Sequence, residues 1–410
     1  MPSFSIPLSG LNVNSQDLNA ISNNLANLNT VGYKDTTMQF RDLFYQQIGS
    51  TGAGEPIEIG AGAGIGSNAA NFNQGSIQNS GVDTDMAIQG DGFFVTDKGG
   101  LQQYTRAGNF TTDPSGNLTT TDGASVMGYE AVNGVVNTQG AITPITIAKG
   151  QVVPATPTAN IQFGMNLDAG AAVGATFNAS TPVYDSLGAA HTVNVTFTKT
   201  AANNWSYAVS IPGADVGSAN PVTLSTGTLT FNGAGQLTAP TANVTGINVT
   251  GFADGASPLT FNWNGFAAPN STITQFSANS AVSSSSQDGG PSGTLSSFSV
   301  DQDGIVQGVF SNGASRPIAQ LAIASFANVD GLSSNGGNAY TATIGSGTPN
   351  IGTANTGGRG EVLGGSLELS NVDIATEFAA LIVAQRGYQA NAKTVTTFDQ
   401  VTQDTINLKQ

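Results

Sequence analysis

Apolar residues recur every seven positions at both ends of the chain, and this spacing constrains the fold more than any other feature. In the C-terminal segment the series is Leu367, Ile374, Leu381, Tyr388 and Val395. A second row there consists of Phe378, Ala392 and Ile406, interrupted by Gln385 and Asp399. The N-terminal series is Leu11, Leu18 and Leu25, flanked by Leu28. Heptad spacing is typical of paired helices, so we expect two terminal helices, at about 3–31 and 371–408, paired as a coiled coil.

Each apolar stripe has a second interpretation, in which it is the core-facing side of an ordinary globular helix. The length of the C-terminal series favours assembly, as do its polar interruptions, which resemble the residues that set register in coiled coils. Isolated helices of this kind are marginally stable in water. We therefore expect the ends to be loosely ordered in a free monomer and to become ordered on assembly.

The composition of the long middle predicts an α+β, mainly β protein with one β-domain inserted into another. We assign residues 1–49 and 366–410 to the terminal coiled coil, and residues 50–70 and 343–365 to linker segments rich in glycine. Short alternating runs predict a discontinuous inner β-domain at 71–148 and 284–342. The insertion, 149–283, contains both tryptophans and few charged residues, and period-two runs such as HTVNVTFTKT indicate that it is also all-β.

A short motif, F-x-x-D-x-x-G, occurs at Phe110–Gly116 and again at Phe298–Gly304, with a variant at Phe231–Leu237. We interpret it as a hairpin turn between two strands. The second copy contains DQDG, which resembles part of a Ca²⁺ loop but lacks the other oxygen ligands that such a loop needs.

The charge balance excludes several partners. Lys and Arg total 11 and Asp and Glu total 26, giving a net charge of −15. Such a chain repels nucleic acid and anionic membranes, and no apolar run is long enough for membrane insertion. It has no cysteine, hence no disulfide framework and no thiolate metal site. We also expect no cleaved Sec-type signal, since no basic segment precedes an apolar one at the N-terminus.

No motif predicts a catalytic residue, a cofactor or a metal. His191 is the single histidine, and we expect it at a strand edge. GAGAGIG (60–66) lacks the Lys-Ser/Thr ending of a phosphate-binding loop, and we expect a flexible linker there. A β-rich adhesin or carbohydrate-binding module would need an exposed aromatic platform, for which Trp205, Tyr207 and Trp263 are the candidates. Strand alternation favours a core role for them, and an enzyme ranks third.

Three stretches resemble bacterial flagellar rod and hook subunits. The N-terminal signature is SNNLANLNTVGYK, with Asn23, Asn24, Ala26, Asn27, Thr30, Gly32 and Lys34. GDGFFV (90–95) and YTRAGNFTTDPSGNL (104–118) resemble the β-domain of that family. The C-terminal stretch 370–401, with Gln385 and Arg386, resembles the shared C-terminal signature. In the middle, PVYDSLGAAHTVNVTFTKT (182–200) and FSVDQDGIVQGVFSNG (298–313) resemble hook members, with a distal-rod subunit and the hook-cap or junction proteins as alternatives.

This resemblance implies a helical tube of many copies, the hook, a curved and flexible universal joint that carries motor torque from rod to filament. The terminal helices would line its channel and the insertion would form its outer surface. Implied partners are other copies, the rod, the hook cap, the hook–filament junction proteins and the type III export apparatus. The implied location is the extracellular flagellum, reached by type III export without signal cleavage.

Overall fold

The computed structural model describes residues 4–50, 55–132, 134–148, 150–266 and 271–408. It is mainly β, with a helix near each end of the chain, and the two helices contact each other, which confirms the predicted fold class. The chain divides into two compact units. The terminal unit comprises Met1–Ala148, Phe298–Gly308 and Arg316–Gln410, and the inserted unit comprises Lys149–Ser297 and Val309–Ser315.

The helices of the terminal unit are α1 (Ser5–Ala26) and α2 (Ile374–Asn407). Asp373 caps α2 by accepting a 2.7 Å hydrogen bond from the backbone N–H of Thr376, and this bond lowers the pKa of the Asp373 carboxyl. The sequence placed the end of α1 near residue 31, which is wrong, because Asn27 leaves helical geometry and the chain turns before Gly32. Neither helix, within the described residues, has the length and apolar character needed to cross a membrane.

The terminal unit is otherwise built from short strands. Those before the insertion are Thr36–Asp42, Gln46–Ser50, Pro56–Ile59, Ala63–Ala70, Ile77–Asn79, Met86–Gln89, Phe93–Lys98, Leu101–Thr105, Thr111–Thr112, Leu118–Thr119, Ser125–Val132, Val135–Val136 and Thr143–Pro144. Those after it are Ile323–Ser325, Ser333–Ser334, Ala339–Thr341, Asn350–Gly352, Glu361–Gly364 and Ser366–Glu368. Strands Gly293–Val300, Ile305–Phe310 and Ser315–Leu321 have residues in both units.

Strands from the two halves of the terminal unit pair with each other. Phe93–Lys98 forms an antiparallel hairpin with Leu101–Thr105, and Ile323–Ser325 pairs with its other edge. Glu361–Gly364 pairs with Met86–Gln89 in the same way. A buried cluster that includes Phe93, Tyr104, Tyr129 and Tyr340 lies against this sheet. The residues before and after the insertion therefore build one core.

The segments expected to be linkers contain strands. Ala63–Ala70, which includes most of GAGAGIG, pairs with Thr36–Asp42, and Pro56–Ile59 pairs with Gln46–Ser50. Glycine and alanine lack side chains to pack, but their backbone groups still form a ladder with a neighbouring strand. The expectation of a flexible linker was therefore wrong for these residues, while residues 51–54 lie outside the described part of the chain.

Among the described residues, most strands of the inserted unit belong to two sheets. An antiparallel meander consists of Thr176–Tyr184, Ala190–Ala201, Asn204–Ile211, Val222–Phe231 and Leu237–Ala239. A mixed sheet consists of Val244–Val249, Leu259–Asn264, Asn160–Asn166, Ile273–Thr274 and Ala281–Gln287. Asn160–Asn166 runs parallel to Leu259–Asn264 and antiparallel to Ala281–Gln287. The short strand Val152–Val153 pairs with Gly293–Val300.

Most of the large aromatic residues of the inserted unit lie in its core. Trp263, on the mixed sheet, contacts Tyr207 of the meander edge-to-face, with ring centroids 5.2 Å apart. Trp205 is buried as well, and its indole N–H donates to Gln275 Oε1 at 2.9 Å. The core role predicted for Trp205, Tyr207 and Trp263 is confirmed, and these residues form no exposed platform.

The F-x-x-D-x-x-G motifs are hairpin turns, as predicted. In one copy Asp301 Oδ1 accepts the backbone N–H groups of Asp303 and Ile305, and Gly304 has φ +74°. In the other copy Asp113 Oδ1 accepts the backbone N–H groups two and four residues further on. The carboxylate thus holds a tight turn in which glycine takes the left-handed conformation.

Candidate assembly interface

Helices α1 and α2 pack antiparallel, with a register visible from their contacts. Phe4 meets Phe398 edge-to-face with ring centroids 6.0 Å apart. Towards the other end of the pair, Asn24 Nδ2 donates to Glu377 Oε1 at 3.0 Å. From one contacting pair to the other, the residue number increases along α1 and decreases by about the same amount along α2. The two helices therefore stay in register over the length that they share.

Two identical motifs bring the helix backbones close together. Each helix has glycine followed four residues later by asparagine, Gly10 and Asn14 in α1 and Gly387 and Asn391 in α2. A Cβ added to Gly10 would lie 2.8 Å from the side chain of Asn391, and one added to Gly387 would lie 2.5 Å from Asn14 Oδ1. Each asparagine therefore packs over the glycine of the opposite helix, where no side chain larger than hydrogen fits.

Heptad spacing did not predict this motif, although a G-x-x-x-N pattern is visible at both ends of the sequence. The side chains buried along the helix pair include Val13, Ile21 and Ala384. The closest approach of the two helices is thus made by glycine and asparagine, and branched apolar side chains such as Val13 and Ile21 are buried alongside it.

Beyond α1 the N-terminal signature forms a polar cluster. Asn24 is 1% exposed, and its Oδ1 accepts the backbone N–H of Thr36 at 3.0 Å and the hydroxyl of Tyr33 at 3.1 Å. Its Nδ2 donates to Glu377. Burial raises the pKa of the Glu377 carboxyl, although the Asn24 bond opposes that shift. One asparagine therefore joins α1, α2 and the first strand.

Lys34, the last residue of the signature, lies in a buried ion cluster. Its Nζ is 2.6 Å from Glu368 Oε1, and both side chains are fully buried. Arg106 Nη1 lies 3.5 Å from Glu368 Oε2, while its Nη2 donates to Gly90 O at 2.7 Å. Burial lowers the pKa of Lys34, and the Glu368 carboxylate opposes this shift. The cluster joins the N-terminal signature, the β-domain and the segment that leads to α2.

Glycine is required at position 32, next to this ion cluster. Its φ is +67°, and a Cβ there would lie 2.5 Å from the backbone nitrogen of Ala107. Its own N–H donates to Glu368 O at 2.8 Å. Asn27 caps α1 and accepts the hydroxyl of Thr30 at 3.1 Å, while Ala26 and Asn23 are exposed at the end of the helix.

The heptad residues occupy several environments in the single chain. Leu11, Leu18, Leu25, Leu28, Leu381 and Val395 are half-buried, whereas Ile374, Phe378, Tyr388 and Ile406 are exposed. Leu367 was predicted in the coiled-coil seam, which is wrong, because it is on strand Ser366–Glu368 and pairs with Ile77–Asn79. Gln385 and Arg386 are exposed, and Arg386 Nη1 donates to Gln389 at 3.3 Å.

Family models of flagellar axial proteins match successive parts of the chain. "Flagella basal body rod protein" matches residues 6–34 and "Flagellar hook protein FlgE/F/G D1 domain" matches 87–162. "Flagellar basal body protein FlaE D2 domain" matches 154–289, and "Flagellar basal body rod FlgEFG protein C-terminal" matches 363–408. The class is thus that of the axial proteins of the bacterial flagellum.

Relatives similar over nearly the whole length narrow the class. Flagellar hook protein FlgE of Treponema pallidum is 34% identical, covering 98% of each chain. The Escherichia coli and Salmonella typhimurium proteins of that name are 35% and 36% identical, covering 99% of this chain and all of theirs. The chain belongs to the flagellar hook protein family. A Helicobacter pylori hook protein crystal structure, 16% identical, shares the fold with a TM-score of 0.52 over 70% of this chain and 98% of that chain.

Proposed function

We propose that this protein is the structural subunit of the flagellar hook, and that it polymerises into a tube through its terminal unit. The observation that carries the proposal is the number of exposed apolar side chains on that unit. On α2, Phe378 is 52% exposed, and Ile374, Ile382 and Val383 are exposed beside it. Exposed apolar patches of this kind mark protein–protein contacts.

The strands that follow α1 present a second apolar surface. Phe44, Tyr45, Ile48, Ile57 and Ile59 are all exposed on or beside the hairpin of Gln46–Ser50 and Pro56–Ile59. In a helical polymer each copy has neighbours on several sides, which would cover both surfaces. The exposed side chains named on both surfaces are apolar, so we expect the contacts made there to be mainly apolar.

The polar junction fits a subunit that must carry force. Lys34, Glu368 and Arg106 form a buried ion cluster, and Asn24 joins three elements through hydrogen bonds. Removing one member of such a cluster leaves a buried charge without its partner, so the arrangement resists distortion. We infer that this junction holds the helix pair, which would line the channel, at a fixed angle to the β-domain.

The inserted unit suits a different role, on the outer surface of the tube. Its core is complete within the chain, and its surface is rich in small polar residues and poor in charge. Contacts of such surfaces are hydrated and can exchange partners without breaking ion pairs. We infer that bending of the hook is accommodated there.

We also propose the partners and the location of the subunit. Its partners would be other copies, the rod, the hook cap, the junction proteins and the type III export apparatus. Its place would be the extracellular flagellum, reached by type III export without signal cleavage. No enzymatic role is proposed, since the family is structural.

Deleting the gene in the source bacterium and imaging isolated basal bodies by electron microscopy tests the proposal. We expect complete rods without hooks, and restoration of hooks by the plasmid-borne gene. Truncated rods would instead assign the chain to the rod. Intact hooks with filaments would overturn the assignment altogether.

A further inference from the structure

The inserted unit holds a cluster of metal-ligating side chains around the single histidine. His191 Nε2 lies 3.0 Å from Asp185 Oδ2. One ligand atom from each of Asp185, His191 and Asp254 can be chosen so that all lie within 4.8 Å of one another. Asp185 and His191 are buried, whereas Asp254 is exposed, so the cluster opens to solvent on one side.

Asp185 is held in place by a turn that leaves one carboxylate oxygen available. Its Oδ1 accepts the backbone N–H groups of Leu187 and Ala189 at 2.8 and 2.9 Å, and Gly188 has φ +88°. This is the same turn that Asp301 forms in the terminal unit. The turn accounts for Oδ1 alone. Oδ2 is directed at the histidine.

The other side of the imidazole has the partner that metal-bound histidines usually have. His191 Nδ1 lies 3.4 Å from Asp215 Oδ2, and the ring lies against Phe252, with centroids 4.5 Å apart. A carboxylate on the second ring nitrogen fixes the tautomer and orientation of a metal ligand. Asp215 Oδ2 therefore faces Nδ1 of the ring, and Asp185 Oδ2 faces Nε2.

Three carboxylates around one imidazole need compensating positive charge. A cation between Asp185, His191 and Asp254 would supply that charge and contact one ligand atom of each residue.

We propose that Asp185, His191 and Asp254 form a binding site for a divalent transition-metal ion of the Zn²⁺ type, with Asp215 positioning the imidazole. One nitrogen and two carboxylate oxygens are a donor set suited to such ions. Two donors each about 2.1 Å from an ion lie about 3.4 Å apart at the tetrahedral angle that Zn²⁺ prefers, so the 3.0 Å between Asp185 Oδ2 and His191 Nε2 would widen by about 0.4 Å when the ion binds. Water would complete the coordination on the exposed side. The ion would tie the start of strand Ala190–Ala201 to the loop at 252–256.

Because the chain contains one histidine, its imidazole is a unique reporter. Full-length protein labelled with ¹⁵N-histidine, freed of metal with a chelator, would be titrated with ZnCl₂ and followed by NMR of the ring nitrogens. We expect saturation at one equivalent, with a large shift of Nε2 and retention of the Nδ1 proton. No change of the ring signals up to millimolar Zn²⁺ would overturn the proposal.

Variants separate a built site from loose surface binding. Asp254→Asn removes an exposed ligand and retains an oxygen for its local turn, and we expect at least a tenfold weaker Zn²⁺ affinity. Asp185→Asn keeps Oδ1 for the turn and should abolish binding. Asp301→Asn changes the equivalent turn residue outside the cluster and should bind Zn²⁺ like the wild type. A Zn²⁺ affinity equal to that of the wild type in both Asp185→Asn and Asp254→Asn would contradict the proposed site. So would binding that prefers Ca²⁺ or Mg²⁺ and leaves the ring signals unchanged.

Discussion

In the inserted unit, Trp205 and Trp263 are 1% and 0% exposed, whereas in α2 the side chains of Phe378 and Ile406 are 52% and 60% exposed. Burial of a large apolar side chain stabilises a fold by about 1.5–3 kcal/mol. The inserted unit gains that stabilisation within one chain. The terminal helices gain only part of it, and the rest becomes available when another copy covers them. One chain thus combines a unit whose large aromatic side chains are buried with helices whose apolar side chains remain exposed.

The largest effect is expected from removing each region in turn. Thr156 and Gly290 exchange two backbone hydrogen bonds of 2.9 and 2.8 Å, so the chain can be joined there by a short glycine–serine link in place of residues 157–289. We expect this deletion to permit tubes with altered curvature, and deletion of residues 374–408 to prevent tubes. Electron microscopy of polymerised protein measures both. Loss of tubes in the first deletion, with the rest of the chain folded by circular dichroism, would assign the inserted unit to the structural core.

The next effect concerns the buried ion cluster. Lys34→Met should destabilise the terminal unit by about 3–5 kcal/mol, because Glu368 would remain buried without its nearest cation. Chemical denaturation of the full chain measures the change. Lys98→Met is the matched control, since the Lys98–Asp122 pair is exposed and should contribute under about 1 kcal/mol. If Lys34→Met and Lys98→Met lowered the free energy of unfolding equally, burial of the Lys34–Glu368 pair would add nothing to its contribution.

A smaller effect on the monomer, with a large effect on assembly, is expected at Phe378. Phe378→Ser should change monomer stability by less than about 1 kcal/mol, because the side chain is exposed in the single chain. The critical concentration for polymerisation should rise at least tenfold. Val173→Ser, an exposed apolar position of the inserted unit, should alter neither quantity. A fall in melting temperature of the Phe378→Ser monomer without an assembly defect would contradict the account.

The smallest effect is expected at Glu377. Burial raises the pKa of its carboxyl in the folded chain, so between the unfolded and folded pKa values the folded state binds more protons. Stability contributed by this group is therefore present at low pH and decreases as pH rises through that window. Glu377→Gln keeps the oxygen that accepts the Asn24 bond, and should stabilise the chain at neutral pH by under about 1 kcal/mol. Melting curves of both proteins at several pH values measure it, and identical pH profiles would show that Glu377 is not desolvated.

The sequence predicted most of the architecture because it depends on patterns that lie along the chain. Heptad spacing located both helices, and alternation placed Trp205 and Trp263 in a core. The high glycine content of residues 50–70 led to the wrong prediction of a flexible linker, since hydrogen bonds between strand backbones need no side chains. The junction of Lys34, Arg106 and Glu368 was not predictable, because these residues are far apart in sequence and meet only through the fold. The carboxylates near His191 were not predictable for the same reason, because Asp215 and Asp254 are distant from it in the sequence. From the sequence, His191 was expected only to lie at a strand edge.

Hydrogen–deuterium exchange of the monomer and of the polymer, followed by mass spectrometry, measures directly whether assembly completes the terminal helices. We expect the amides of α1 and α2 to exchange faster in the monomer than in the tube, while the strands of the inserted unit are equally protected in both states. Equal protection of α1 and α2 in the monomer and in the tube would contradict this expectation, because the helices would then be complete without a second copy.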